Sequence, residues 1–247
     1  VGQRRFPSPE TYTPKHLADK ILTSKATLEG ERKQVTVLFA DLKGSMELLA
    51  DRDPEEARKL LDPVLERMMD AVHRSEGPVN QVMGDGIMAL FGAPFAQEDH
   101  AVRACYAALR RQETVKRYAE RIRRAEGIPL QIHVGLNSGE VVVRAIGSDL
   151  HMDYTAVGQT THVAARMEQM ALPGSTLLSA GTLALASELG MRPLVAHCRL
   201  GLGTLCAKMG RRQEARAELA GSIELYRAMD MRFWIGRAEA AMAKVAG

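Results

Sequence analysis

Two aspartates stand where the chain changes direction, and carboxylates in such places can do chemistry. Asp41 closes the apolar run Val35-Thr36-Val37-Leu38-Phe39, and Asp85 sits in Gly84-Asp85-Gly86 between the apolar runs 79–83 and 87–91. Singly, Asp41 also reads as a helix cap and Asp85 as an ordinary turn former. Together they offer what a hard divalent cation needs: a few carboxylate oxygens, with other positions left to water and phosphate. Following Asp41, Leu42-Lys43-Gly44-Ser45 links strand to helix, and its backbone N–H groups and the positive helix end form a candidate phosphate cradle. The sequence holds no GxxxxGK[ST] run, which excludes a P-loop. Further along, Gln159, His162 and Arg166 fall at i, i+3 and i+7 and make one polar stripe, with Val163, Met167, Met170 and Ala171 as the apolar side. A solvated helix face explains that stripe as well as a site does, but Arg166 also offers a planar set of donors that suits a phosphate.

These residues need elements to hold them. The run 35–39 has the β-branched and aromatic content of a central strand. From Pro54 to Glu76 the apolar residues Ala57, Leu60, Leu61, Val64, Leu65, Met68, Met69 and Val72 keep helical spacing, and Pro63 is expected to kink or divide that helix. The runs 79–83 and 87–91 predict a hairpin turning at Gly84-Asp85-Gly86. A helix over about 98–124 precedes two further strands, 130–136 and 140–145, joined by a turn at Asn137-Ser138-Gly139. A helix over 159–171 ends at Pro173-Gly174, and residues 175–178 suit a short strand. This order predicts an α+β fold of ferredoxin-like type, a mostly antiparallel sheet covered by helices.

Composition narrows the classes. In 247 residues, 46% are hydrophobic and 26% charged, which suits a folded domain with a core and argues against disorder. A net charge of +3 and a low aromatic content of 4% give no platform for nucleic acid. No apolar run reaches the roughly 18 residues of a membrane span, and the N-terminus lacks a signal-peptide pattern, so a cytoplasmic location is expected. The sequence begins at Val1, as a fragment or processed chain would. Cys105, Cys198 and Cys206 sit in apolar helical patterns and read as buried or half-buried thiols.

Five blocks in order resemble one family. They are Phe39-Ala40-Asp41-Leu42-Lys43-Gly44-Ser45, Val82-Met83-Gly84-Asp85-Gly86-Ile87-Met88-Ala89-Leu90-Phe91, Gly135-Leu136-Asn137-Ser138-Gly139, Tyr154-Thr155-Ala156-Val157-Gly158 and Ala164-Ala165-Arg166-Met167. Over about residues 32–185 the chain is similar to the class III adenylyl and guanylyl cyclases. The resemblance implies conversion of ATP to cyclic AMP and pyrophosphate, with two divalent cations, Mg²⁺ or Mn²⁺, on Asp41 and Asp85. It places Arg166 as the arginine that stabilises the transition state and His162 where an asparagine usually positions the ribose. Gln81 and Thr155 fall at the two base-reading positions. It also implies a homodimer, in which the metal aspartates come from one subunit and the base-reading and arginine residues from the other.

The sequence departs from the family in places. Gln81 can pair with either purine, because an amide both donates and accepts, and His162 is bulkier than asparagine and titratable. After the segment matching 175–185, the family's further strands and Leu-Lys-Gly-like loop give way to an Ala-, Leu-, Arg- and Glu-rich helical pattern. There, Leu202, Gly203, Gly210, Ala215 and Leu219 match a single tetratricopeptide-like helix pair turning at Gly210-Arg211. A lone pair cannot bury its faces, so a docking surface is expected on the preceding domain, a protein partner or further repeats. The organisation read from sequence is a lead-in at 1–33, a cyclase domain at 34–185 and a helical tail at 186–247. A catalytically weak cyclase-homology module that senses nucleotide or dimerises is the alternative reading.

Overall fold

The apolar run after residue 34 forms the centre of a sheet, as its β-branched content dictates. In a computed structural model that describes residues 12–24, 32–44, 53–142 and 159–246, strand β1 (Arg32–Leu42) pairs antiparallel with β3 (Gly86–Phe91) on one side and β4 (Ile132–Val142) on the other. β2 (Val79–Met83) flanks β3, and β5 (Thr176–Leu178) joins β4 in parallel, giving the order β2-β3-β1-β4-β5. The sheet is therefore mixed, with three antiparallel pairings and one parallel one.

Alternation along β1 sorts its residues onto two faces. Val35, Val37 and Phe39 lie on the face that packs with Met88, Leu90, Val141 and with Ala164 of helix α4 (Gln159–Met170). Asp41 continues that row. Ile21 of helix α1 (Lys15–Ser24) joins the same cluster, so the N-terminal segment helps to build the core.

Helix α2 (Pro54–His73) is a single element, and Pro63 neither divides nor ends it. Buried Leu60, Val64, Leu65, Met68 and Met69 flank the proline, and the Arg67 guanidinium donates to the Pro63 carbonyl at 2.6 Å. Apolar burial on both sides outweighs the loss of one helical hydrogen bond. The Asp53 carboxylate caps the helix start by accepting from the Glu55 N–H at 2.8 Å, and Pro54 occupies the first turn. Helix α3 (His100–Glu126) ends at Gly127, which has φ 73°.

The expected turn at Asn137-Ser138-Gly139 is not a turn. These residues run straight through β4, where Asn137 faces Val37, Ser138 faces Thr36 and Gly139 faces Val35. Turn-forming side chains instead serve long-range bonds. Asn137 Nδ2 donates to the Thr160 carbonyl at 3.0 Å, and Ser138 Oγ lies 2.7 Å from Thr36 Oγ1. An eleven-residue partner strand overrides the local preference.

Contacts divide the chain into two compact units, one up to Thr182 and one from Leu183. Helix α5 (Ala180–Glu188) spans that division. The second unit carries α6 (Arg192–Lys208), α7 (Arg212–Ala228) and α8 (Arg232–Ala246), three helices where one pair was expected. They start twenty residues apart, and each is preceded by a left-handed residue: Gly190 (φ 77°), Gly210 (φ 76°) and Asp230 (φ 50°). Two of these turns escaped the pattern, one because Gly190 lies near the composition shift and one because Asp230 is not a glycine. Cys206, Ala215, Leu219 and Val245 form part of the unit's core. Cys105 and Cys206 are buried and Cys198 is half-buried, as their apolar helical patterns implied.

Candidate active site

Asp41 ends the row of β1 side chains that faces α4, and the ladder places His133 directly opposite it on β4 and Gly86 opposite it on β3. Both glycines flanking this corner are there for space. A β-carbon on Gly86 would lie 2.6 Å from Asp41 Oδ1, so only glycine leaves room for the carboxylate. A β-carbon on Gly135 would lie 2.1 Å from the Glu168 backbone nitrogen, so only glycine lets α4 settle onto β4. Thr160 fixes the start of that helix, its hydroxyl donating to the Glu140 carbonyl at 2.7 Å.

The close approach brings Glu168 onto the sheet. Its Oε1 lies 3.0 Å from His133 Nε2, with both side chains about nine-tenths buried. Metal-ligating atoms of Asp41, His133 and Glu168 all lie within 4.8 Å of one another. Asp85 arrives from the tight turn between β2 and β3, where Gly84 (φ 60°) takes the left-handed conformation. A cleft of about 200 Å³ opens here, lined by Phe39, Ala40, Asp41, Met83, Asp85 and Glu168.

Three carboxylates in one cleft repel one another. Burial pushes the Asp41 carboxyl up to about 7, and the charges of Asp85 and Glu168 add to it, while a hydrogen bond from the Leu42 N–H works the other way. Burial also raises Glu168, with Asp85 adding and Lys43 opposing. Asp41 Oδ1 is buried without a hydrogen-bond partner. A buried, unsatisfied carboxylate oxygen among like charges is costly alone and favourable once a cation is present. The donor set therefore fits a hard divalent ion.

Other residues singled out from sequence fall into distinct places. Leu42 is buried, so its side chain belongs to the core, while Lys43 and Gly44 are exposed. The Lys43 N–H already donates to the Gln131 carbonyl at 2.8 Å, and the Leu42 N–H is directed to Asp41. Two of the four N–H groups of the expected phosphate cradle are thus engaged. Gln81 is exposed on β2, beside a register shift in that strand. Ser45 and Thr155 lie outside the described residues.

Gln159, His162 and Arg166 are exposed on α4, as the polar stripe implied. The buried side differs from the expected one. Thr160, Ala164, Glu168 and Ala171 turn inward, whereas Val163 and Met167 are half-buried and Met170 is 68% exposed. Arg166 and Glu168 are two positions apart, about 200° around the helix, so Arg166 points away from the side that meets Asp41. His133 and Glu168 were missed in the sequence. Their signal was weak: a histidine in a buried strand and a glutamate on the inward row of a helix.

Comparison with known proteins identifies the family of the fold. Residues 29–195 match the adenylate and guanylate cyclase catalytic domain. Adenylate cyclase 1 of Rhizobium meliloti is 31% identical over 176 residues, covering 70% of this chain and 26% of that protein. The chain thus spans about a quarter of the length of such curated relatives. Among solved structures, the guanylyl cyclase Cya2 is similar with TM-score 0.60 and 33% identity, covering 64% of this chain and 81% of that one. The adenylyl cyclase CyaB from P. aeruginosa gives TM-score 0.60 and 33% identity, covering 65% and 84%.

Proposed function

Since the chain belongs to the adenylate and guanylate cyclase catalytic-domain family, we propose that residues 34–185 act as an adenylyl cyclase converting ATP to 3′,5′-cyclic AMP and pyrophosphate. In that reaction the ribose 3′ oxygen bonds to the α-phosphorus, the bond from that phosphorus to pyrophosphate breaks, and the hydroxyl proton is lost. The carrying observation is the convergence of Asp41 and Asp85 on one cleft. These two would hold a pair of divalent cations, Mg²⁺ or Mn²⁺. Bound there, the ions supply acidification of the hydroxyl and neutralisation of the phosphates.

The rest of the chemistry falls to residues facing elsewhere. Arg166 and His162 are exposed on the outward side of α4. That orientation favours a homodimer in which a second copy brings its Arg166, His162, Gln81 and Thr155 to the cleft. Arg166 neutralises charge on the equatorial oxygens, an effect worth about 3 kcal/mol for a well-placed donor. His162 positions the ribose, Gln81 and Thr155 read the base, and Lys43, Gly44 and Ser45 lie by the phosphates. The choice of ATP is supported by the similarity to Adenylate cyclase 1, and the Gln81 amide accommodates adenine.

A second reading, a cyclase-homology module with little turnover, is favoured by one feature: β5 passes directly into α5 and the helical unit. Incubation with ATP or GTP in Mn²⁺ or Mg²⁺, with chromatographic detection, separates the possibilities. Faster formation of cyclic AMP than cyclic GMP supports the adenylyl assignment. Predominant cyclic GMP reverses the base choice, and no cyclic product with either nucleotide favours the second reading.

A further inference from the structure

Glu168 is a poor choice for a buried helix position unless something there uses its charge. A carboxylate taken out of water costs several kcal/mol unless it is paired. Its direct partner is the His133 imidazole at 3.0 Å, and Glu168 is placed there by Gly135, which admits the helix backbone to contact distance. His133 in turn faces Asp41 across the β1–β4 ladder. The pair therefore stands beside the carboxylate whose Oδ1 is buried without a partner, and Glu168 also borders the open cleft.

We propose that Glu168 and His133 are a positioning pair that sets how tightly the Asp41–Asp85 site holds a divalent cation. The inference rests on the reading of those two aspartates as the cation-holding pair. His133 fixes the Glu168 carboxylate, and the fixed carboxylate adds negative charge beside Asp41 that a cation relieves on binding. Part of the free energy of cation binding is thus stored as the crowding of three acidic groups in the metal-free protein. A merely structural glutamate would stabilise the protein with or without metal. A glutamate that stores repulsion destabilises the metal-free protein and gives the energy back when metal binds.

Glu168→Gln removes the charge while keeping the shape and a polar contact for His133. Mn²⁺ binding to the full chain, followed by electron paramagnetic resonance without nucleotide, is expected to weaken about tenfold, as loss of an outer partner of a metal site typically does. The melting temperature in metal-free buffer is expected to be equal to that of the parent or higher, and the gain on adding Mn²⁺ to shrink. Asp41→Asn serves as the control and is expected to lose most Mn²⁺ binding. Parent-like Mn²⁺ affinity in Glu168→Gln, with binding lost in Asp41→Asn, overturns the positioning pair and leaves the aspartate reading intact. Parent-like affinity in both overturns the aspartate reading and the inference with it. A lower metal-free melting temperature with an unchanged Mn²⁺ gain assigns Glu168 a structural role and also overturns the proposal. Should Glu168→Gln fail to fold, His133→Gln decides: it spares every carboxylate, is expected to weaken Mn²⁺ severalfold, and overturns the proposal if affinity is unchanged.

Discussion

Gly135 lies directly beneath Glu168, so close that a β-carbon on the glycine would fall 2.1 Å from the Glu168 backbone nitrogen and 2.4 Å from the Ala164 carbonyl oxygen. Neither obstacle is a side chain that can swing aside. Gly135→Ala must therefore lift α4 from β4, and overpacking of this kind costs about 1–3 kcal/mol. Chemical denaturation is expected to show that loss. Cyclic-nucleotide formation is expected to fall further than stability alone explains, because Glu168, His162 and Arg166 all ride on the displaced helix.

A second expectation concerns a buried chain of hydroxyls on the face of β1 opposite Asp41. Thr36 Oγ1 lies 2.8 Å from His100 Nδ1 and 2.7 Å from Ser138 Oγ, and Ser138 Oγ donates to Thr182 Oγ1 at 3.0 Å. Thr36 and Thr182 are fully buried. Thr36→Val keeps the shape but strands His100 Nδ1 and leaves Ser138 with its bond to Thr182, and an unsatisfied buried group costs about 1–3 kcal/mol. Urea unfolding of the variant is expected to show a lower midpoint with an unchanged slope; an unchanged midpoint would mean that these bonds contribute nothing net.

Much of this architecture was legible in the sequence, and the exceptions share a cause. Asp41 and Asp85 stood out because each ends or joins a strand whose period is plain, and Thr176–Leu178 was expected as a strand. Glu168 did not stand out, because sorting α4 into polar and apolar sides gave no reason to bury an acid. The inward row Thr160, Ala164, Glu168 and Ala171 makes sense only above Gly135 and His133, which lie some thirty residues away in sequence. Asn137-Ser138-Gly139 misled for the same reason: its turn character is local, while its partners Thr160, Thr36 and Val35 are not.

Acid is expected to act on both units through a buried histidine in each, and to destabilise the second most plainly. Burial lowers His73 to about 4 in the first unit, with the Asp70 charge opposing, and burial lowers His197 to about 4 in the second, with Arg237 adding to it. Each is held neutral when folded but takes a proton near pH 6.5 when unfolded. The stability that they contribute is full above about pH 6.5 and is lost as pH falls toward about 4. Melting curves across that window are expected to show the decline in the helical unit, with His197→Gln flattening it, while in the first unit Asp41, raised to about 7, offsets His73. A decline with the same slope in that variant would assign the acid sensitivity to other groups.

Subunit sharing has its own signature. Arg166 faces away from the side of α4 that meets Asp41, and under the proposed function one chain supplies the aspartates and another the arginine. Asp85→Ala and Arg166→Ala proteins, each inactive alone, are expected to regain up to about a quarter of parental activity when mixed, since only mixed dimers hold one intact site. No recovery in mixtures shown to exchange subunits would place the whole site within one chain.

The most direct measurement is cyclic AMP production from ATP and Mn²⁺ by the parent chain beside Asp41→Ala, with circular dichroism confirming that both are folded. The expected result is steady product from the parent and a loss of at least a hundredfold in the variant, because in the proposed function Asp41 would hold the ions that acidify the attacking hydroxyl. A folded parent that makes no cyclic AMP, or a variant that makes it at the parental rate, would contradict the assignment.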